Sequence, residues 1–202
     1  MEQLRTLTMQ ERAQAYETVF REAFPESELK PLAGMERAIA AGDYAFLGLF
    51  RDGEPVCYFC NWQHDNVVLI DYLCVPAPLR DQGIGSRALN MMMAQYPTGT
   101  VFLLETEAPV GDPARDALIA RRLGFYRRLG AADAGYDCGL FSVRYQVLYW
   151  AAQPVETGAL QREHGGFYRR SIPERMYRAA VQIPLLPGQS VLPEQDWEAL
   201  LH

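Results

Sequence analysis

A chain of 202 residues, 49% hydrophobic and 22% charged, has the make-up of an ordinary globular domain with room for a sizeable core, which excludes global disorder. Nineteen basic against twenty-five acidic residues leave a net charge of -6, a field that repels nucleic acid and disfavours it as a partner. No run approaches the roughly 20 apolar residues of a membrane span, and the opening MEQLRTLTMQER lacks the apolar stretch of a secretory leader, so a cytoplasmic chain with no membrane partner is expected.

Thr8 and Glu11 form a capping box, and Ala15, Val19, Phe20 and Phe24 follow at helical spacing, so a first helix should end by Phe24, before Pro25. Pro25-Glu26-Ser27-Glu28 reads as a loop. A second helix fits 31–41, with Pro31 in its first turn and Gly42 as its stop. Residues 44–51 and 54–63 are rich in aromatic and branched side chains, and Asp52-Gly53 between them signals a hairpin. A turn at His64-Asp65-Asn66 leads into a third strand, Val67–Val75, completing an antiparallel meander. Cys57 and Cys60 have the spacing of a metal pair. Residues three apart on a strand point to opposite faces, however, and no second pair completes a site, so buried free thiols and no metal are expected.

Pro76 and Pro78 stop the ladder, Gly83 and Gly85 make a tight turn, and Ser86–Tyr96 reads as a helix with Leu89, Met92 and Met93 on one face. Thr100–Thr106 returns as a strand, which the preceding helix can join to Val67–Val75 by a parallel crossover. A Pro/Gly/Asp loop over 107–113 precedes a helix at 114–129 and a last strand near Ser142–Ala152. The fold class is therefore α/β or α+β, with a mixed, mostly antiparallel sheet flanked by helices. After Gln153 the chain reads as polar and loop-like, then Ser171-Ile172-Pro173-Glu174 caps a short helix. Residues 1–152 are expected to form one domain and 153–202 an extension on the same core, since about fifty residues alone make a marginal core.

The chemistry concentrates in Leu73-Cys74-Val75-Pro76-Ala77-Pro78-Leu79-Arg80-Asp81-Gln82-Gly83-Ile84-Gly85-Ser86. A strand end, two close glycines and a helix start bring several backbone N–H groups to one point, an anion site suited to phosphate. Gly83-Ile84-Gly85-Ser86-Arg87-Ala88 also satisfies G-x-G-x-x-A, but eight positions separate it from Val75 and antiparallel strands precede it, against a dinucleotide fold.

Arg80-Asp81-Gln82-Gly83-Ile84-Gly85 resembles the Q/R-x-x-G-x-G/A acyl-CoA loop of the GNAT superfamily of N-acetyltransferases, and Phe125-Tyr126-Arg127-Arg128-Leu129-Gly130 is similar to its F-Y-x-x-x-G segment. The order of elements over 1–152 matches that fold as well. The resemblance implies a splayed sheet with acetyl-CoA as acyl donor between the strands ending at Val75 and Thr106. It assigns the pantetheine chain to the main chain of Leu73, Cys74 and Val75, and the pyrophosphate to the N–H groups of Asp81, Gln82, Gly83, Ile84, Gly85 and Ser86. Arg80 and Arg87 either add charge there or are solvated surface arginines. Asp81 stands where a basic residue is common, and Ile119 where compact members carry an asparagine.

Transfer of an acetyl group requires a base for the amine and an acid for the departing thiolate. Glu105 matches the family's strand-end base, with Glu107 as its competitor; the alternative is that Glu105 pairs with an arginine of the following helix. Tyr126 matches the tyrosine that protonates the thiolate, the alternative being packing alone. The implied acceptor is a primary amine of a small molecule or peptide, near Glu26, Glu28 and Tyr72, where carboxylates and aromatics suit a cation. Asp71 either faces that site or accepts main-chain bonds. His64 and His164 fall in apparent polar turns and receive no role. The arginine-rich extension either closes the acceptor pocket or buries a face of a homodimer. The competing function is a non-catalytic module of the same fold that binds acyl-CoA or a protein partner.

Overall fold

The computed structural model describes residues 1–26 and 28–195; Ser27 of the first loop and residues 196–202 of the extension lie outside them. The chain folds as two compact units, 1–98 and 99–202. Among the described residues no helix is long and apolar enough to cross a membrane.

In the first unit β1 (Glu2–Thr6), β2 (Tyr44–Arg51), β3 (Glu54–His64) and β4 (Val67–Cys74) pair antiparallel in that order. The expected three-strand meander thus gains a strand. Only Leu4 of Glu2–Thr6 is buried, so its alternation is too short to show as a pattern. Asp52 and Gly53 have φ of 52° and 92°, as a primed hairpin turn requires. His64 closes β3 rather than joining the next turn.

Helix α1 spans 9–23 and includes a π turn at Tyr16–Phe20. Both bonds of the capping box form: Glu11 N–H donates to Thr8 Oγ1 at 3.3 Å and Thr8 N–H to Glu11 Oε2 at 2.8 Å. Helix α2 (Leu32–Ala41) ends at Gly42, whose φ of 85° is open to glycine without strain. Fully buried Phe20 meets Phe46, Tyr58 and Tyr72 at ring separations of 5.0, 6.0 and 5.7 Å, which fixes α1 on the sheet. Helix α3 (Ile84–Met93) buries Ile84, Ala88, Leu89 and Met92.

The β3–β4 register steps from Cys60 opposite Tyr72 to Asn61 opposite Ile70, leaving Asp71 as the extra residue of a bulge. A bulge re-aims a side chain. The carboxylate of Asp71, 4% exposed, accepts from Lys30 Nζ and Tyr44 Oη, both at 2.5 Å. The one lysine of the chain thereby ties the segment before α2 to the sheet.

The second unit comprises β5 (Val101–Glu107), α4 (Pro113–Arg128), β6 (Ala132–Leu140), β7 (Val143–Trp150), α5 (Thr157–Ser171), α6 (Glu174–Ala180) and β8 (Val181–Leu185), with antiparallel order β5-β7-β6-β8. Asp112 caps α4 by accepting from Arg115 N–H at 2.8 Å. Three features depart from expectation. The hairpin β6–β7 stands where one strand was expected, because two glycines and two aspartates mask a strand whose Ala134, Tyr136, Cys138 and Leu140 alternate inward. The stretch after Gln153 is a 15-residue helix, not loop-like. Gly158, Gly165 and Gly166 lower its propensity, while buried Leu160, His164, Phe167 and Tyr168 supply the face that folds it. Ser171 does not cap α6; it ends α5, and Pro173 precedes α6 without a side-chain cap.

The pairing of Lys30 with Asp71 predicts coupled stability. Lys30→Met and Asp71→Asn are each expected to cost about 1–3 kcal/mol, a range discounted because the ammonium is partly exposed. The double variant should lose less than the sum. Denaturant unfolding of the four proteins checks this, and strictly additive losses would show that the two groups do not couple.

Candidate active site

Where β4 ends, the chain makes a 3-10 turn at Ala77–Leu79 and then enters α3 through Arg80, Asp81, Gln82 and Gly83. Asp81 and Gly83 both lie in the left-handed region, with φ of 65° and 70°. The first bond of the helical ladder is Arg87 N–H to Gly83 O, at 3.2 Å. The N–H groups of Ile84, Gly85 and Ser86 precede that ladder by geometry and gather at its positive end. Ile84 is buried and anchors the turn, while Asp81, Gln82 and Gly83 are exposed and Gly85 and Ser86 half-buried. Side chains brace the loop from outside: Arg80 Nε donates to Val75 O at 3.0 Å, Gln82 Nε2 to Pro78 O at 3.3 Å, and an Arg87 guanidinium nitrogen to Gln82 O at 3.3 Å. Leu73 and Val75 are half-buried. Burial pushes the Cys74 thiol up to about 11 and leaves it protonated.

On the acceptor side named from the sequence, Glu26 is exposed and Glu28 half-buried. Tyr72 is buried between Phe20 and Phe24. Its hydroxyl donates to Glu28 O at 2.7 Å and accepts from Lys30 N–H at 2.9 Å. Burial, and then the charge of Asp71, hold the Tyr72 phenol well above its ordinary range. The structure therefore gives Tyr72 the task of shaping the segment that bears the two glutamates.

In the second unit Tyr126 is buried on α4, its ring edge-on to Phe125 at 5.0 Å and to Trp150 at 6.0 Å. Trp150 Nε1 donates to Leu129 O at 2.9 Å and pins the end of that helix. Two residues apart on β5, Glu105 and Glu107 have different partners. Glu107 takes the arginines of α4, Arg115 at 2.5 Å and Arg122 at 3.4 Å. Glu105, for which such a pairing was the alternative reading, instead accepts from α5: its Oε1 lies 2.5 Å from His164 Nε2, and Tyr168 Oη donates to Oε1 at 2.8 Å and to Oε2 at 3.0 Å. His164 Nδ1 in turn meets Tyr136 Oη at 3.0 Å. Fully buried His164 is thus no turn residue, and its spacing of four from Tyr168 on a helix was the signal available in the sequence.

The model of the Acetyltransferase (GNAT) family matches residues 9–130. No curated protein matches the sequence. Among solved structures, a protein assigned to the GNAT acetyltransferases from Bacteroides thetaiotaomicron is 18% identical, with a TM-score of 0.66 over 83% of this chain and 94% of that one. An aminoglycoside 6'-N-acetyltransferase complexed with coenzyme A is 14% identical, with a TM-score of 0.56 over 76% of this chain and 98% of that one. The PaiA N-acetyltransferase of Thermoplasma acidophilum, also in complex with coenzyme A, is 14% identical, with a TM-score of 0.51 over 75% and 99%. These likenesses show the fold, and the fold class read from the sequence agrees with it. With a family model spanning more than half of its length, the chain belongs to the acetyltransferase (GNAT) family.

Proposed function

We propose that the chain is an acetyl-CoA-dependent N-acetyltransferase that moves an acetyl group to a primary amine of a small molecule or peptide. The observation that carries this reading is the turn at 81–86, where the N–H groups of Ile84, Gly85 and Ser86 stand ahead of the α3 ladder within the span matched by the family model. Such a cluster fits a pyrophosphate, because the donors are main-chain groups and the helix end is positive. Acetyl-CoA supplies an activated thioester carbonyl. Gly83, Gly85 and Ser86 hold its phosphates in this reading, with the main chain of Leu73, Cys74 and Val75 along the pantetheine arm and Arg80 bracing the loop from Val75.

Glu105 accepts the proton of the attacking amine, directly or through water, and Tyr126 donates to the departing thiolate. A phenol suits the second role, since with an ordinary pKa near 10 it is still protonated at neutral pH and can donate to the thiolate as it forms. Glu26 and Glu28 attract the acceptor cation on the segment shaped by Tyr72. Four buried free cysteines support a reducing compartment, and we place the enzyme in the cytoplasm.

The first test is donor binding. A Glu at position 85 places a carboxylate in the first turn of α3, where the helix tolerates it but a phosphate does not. Gly85→Glu is therefore expected to keep its circular-dichroism spectrum and melting temperature while acetyl-CoA affinity in titration calorimetry falls about 100-fold, the scale of like-charge contact. Unchanged affinity would remove the turn from the donor site.

For Tyr126→Phe the ring and its packing persist and only the donor is lost. A kcat lower by about 10² to 10⁴ with unaltered acetyl-CoA affinity is expected. Full turnover with chemistry rate-limiting would reduce Tyr126 to packing. Release of free CoA across an amine and peptide library tests the activity as a whole. Stoichiometric donor binding without any turnover would favour the binding-module reading.

A further inference from the structure

Glu105 is a carboxylate whose side chain is 12% exposed, and two of the groups that hold it come from one helix outside the span of the family model. His164 is fully buried and uses both ring nitrogens, Nε2 toward Glu105 and Nδ1 toward Tyr136. Tyr168 reaches both oxygens of the same carboxylate. Burying a carboxylate is costly unless donors converge on it, and His164 and Tyr168 supply them here. Val147 on β7 lies opposite Glu105, and the arginines of α4 bond Glu107. From β6 come Tyr136 and Cys138, whose thiol lies within 4.8 Å of a Glu105 carboxylate oxygen and a His164 ring nitrogen. Burial holds both protonated, and Asp137 beside them is engaged by Arg144 at 2.5 Å.

We propose that His164 and Tyr168 are positioning residues for the acetyl transfer: α5 orients the carboxylate of Glu105 and sets its proton affinity. This rests on the reading of Glu105 as the base. Hydrogen bonds donated to a carboxylate favour its ionised form, so α5 keeps Glu105 ready to accept a proton at lower pH. The sign follows directly. Loss of a donor raises the carboxyl pKa, more enzyme is protonated at a given acidic pH, and the acidic limb of kcat/KM moves to higher pH.

Tyr168→Phe keeps the ring beside His164, 5.8 Å between centroids, and removes only the hydroxyl. Its acidic limb should move up by about one pH unit, the worth of one hydrogen bond to a charged group. Acetyl-CoA affinity should stay unchanged. His164→Leu should shift the limb the same way, and His164→Gln, which returns an N–H near the Nε2 position, should bring it back toward wild type. Glu105→Gln should lower kcat by about 10² or more and abolish the limb, after which adding Tyr168→Phe should change nothing further. If Glu105→Gln lowers turnover while Tyr168→Phe and His164→Leu keep the wild-type limb, the positioning role is wrong and the base stands. If Glu105→Gln keeps full turnover and its acidic limb, the reading of the base is wrong and the positioning role falls with it. Should His164→Leu fail to fold, Tyr168→Phe decides alone.

Discussion

A carboxylate withdrawn from water must bring its own donors, and this constraint ties together much of the structure. Among the described residues, three inward-facing acids each recruit another segment. Asp71 holds Lys30 and Tyr44, which fixes the stretch before α2 against the strands of the first unit. Glu107 gathers Arg115 and Arg122 and so sets α4 against the end of β5. Glu105 takes His164 and Tyr168, which docks α5 on the strands of the second unit. In a chain with a net charge of -6 these acids are not incidental surface charge. Each costs desolvation, and each offsets that cost by specifying which remote residue must lie beside it.

The turn at 81–86 rests on the complementary rule, that backbone N–H groups also need partners. At the start of α3 the helix itself leaves them without one. Two left-handed residues, Asp81 and Gly83, bend the chain so that these donors collect at one point, and the buried side chain of Ile84 holds the bend against the sheet. Arg80, Gln82 and Arg87 bond carbonyls around the turn rather than its N–H groups. The same segment thus leaves main-chain donors at the helix start and spends its side chains on rigidity, an arrangement that suits an anion.

Much of the first unit was legible in the chain because its signals are local. A capping box, a proline after Phe24, a glycine after Ala41 and an Asp-Gly hairpin each act over a few residues, and the elements they bound lie within a residue or two of their expected places, whereas α3 ends at Met93 and not at Tyr96. Glu2–Thr6 was not legible, for a five-residue strand with one buried side chain is defined by its partner β2 and not by its own pattern. The same holds for β6, where Gly135 and Gly139 interrupt the alternation and pairing to β7 and β8 supplies what propensity withholds. Helix α5 carries three glycines and folds because its inner face is buried.

For the candidate site, the residue types and their spacing singled out the glycine turn, the strand-end glutamates and the tyrosine of α4, since each belongs to a short contiguous motif. Only the tertiary structure decided which glutamate meets arginine and which meets histidine. Glu105 and His164 are 59 positions apart, and no local preference couples them. Their bond exists because burial forces a carboxylate on β5 and an imidazole on α5 to satisfy one another, a choice made by packing after the elements have formed.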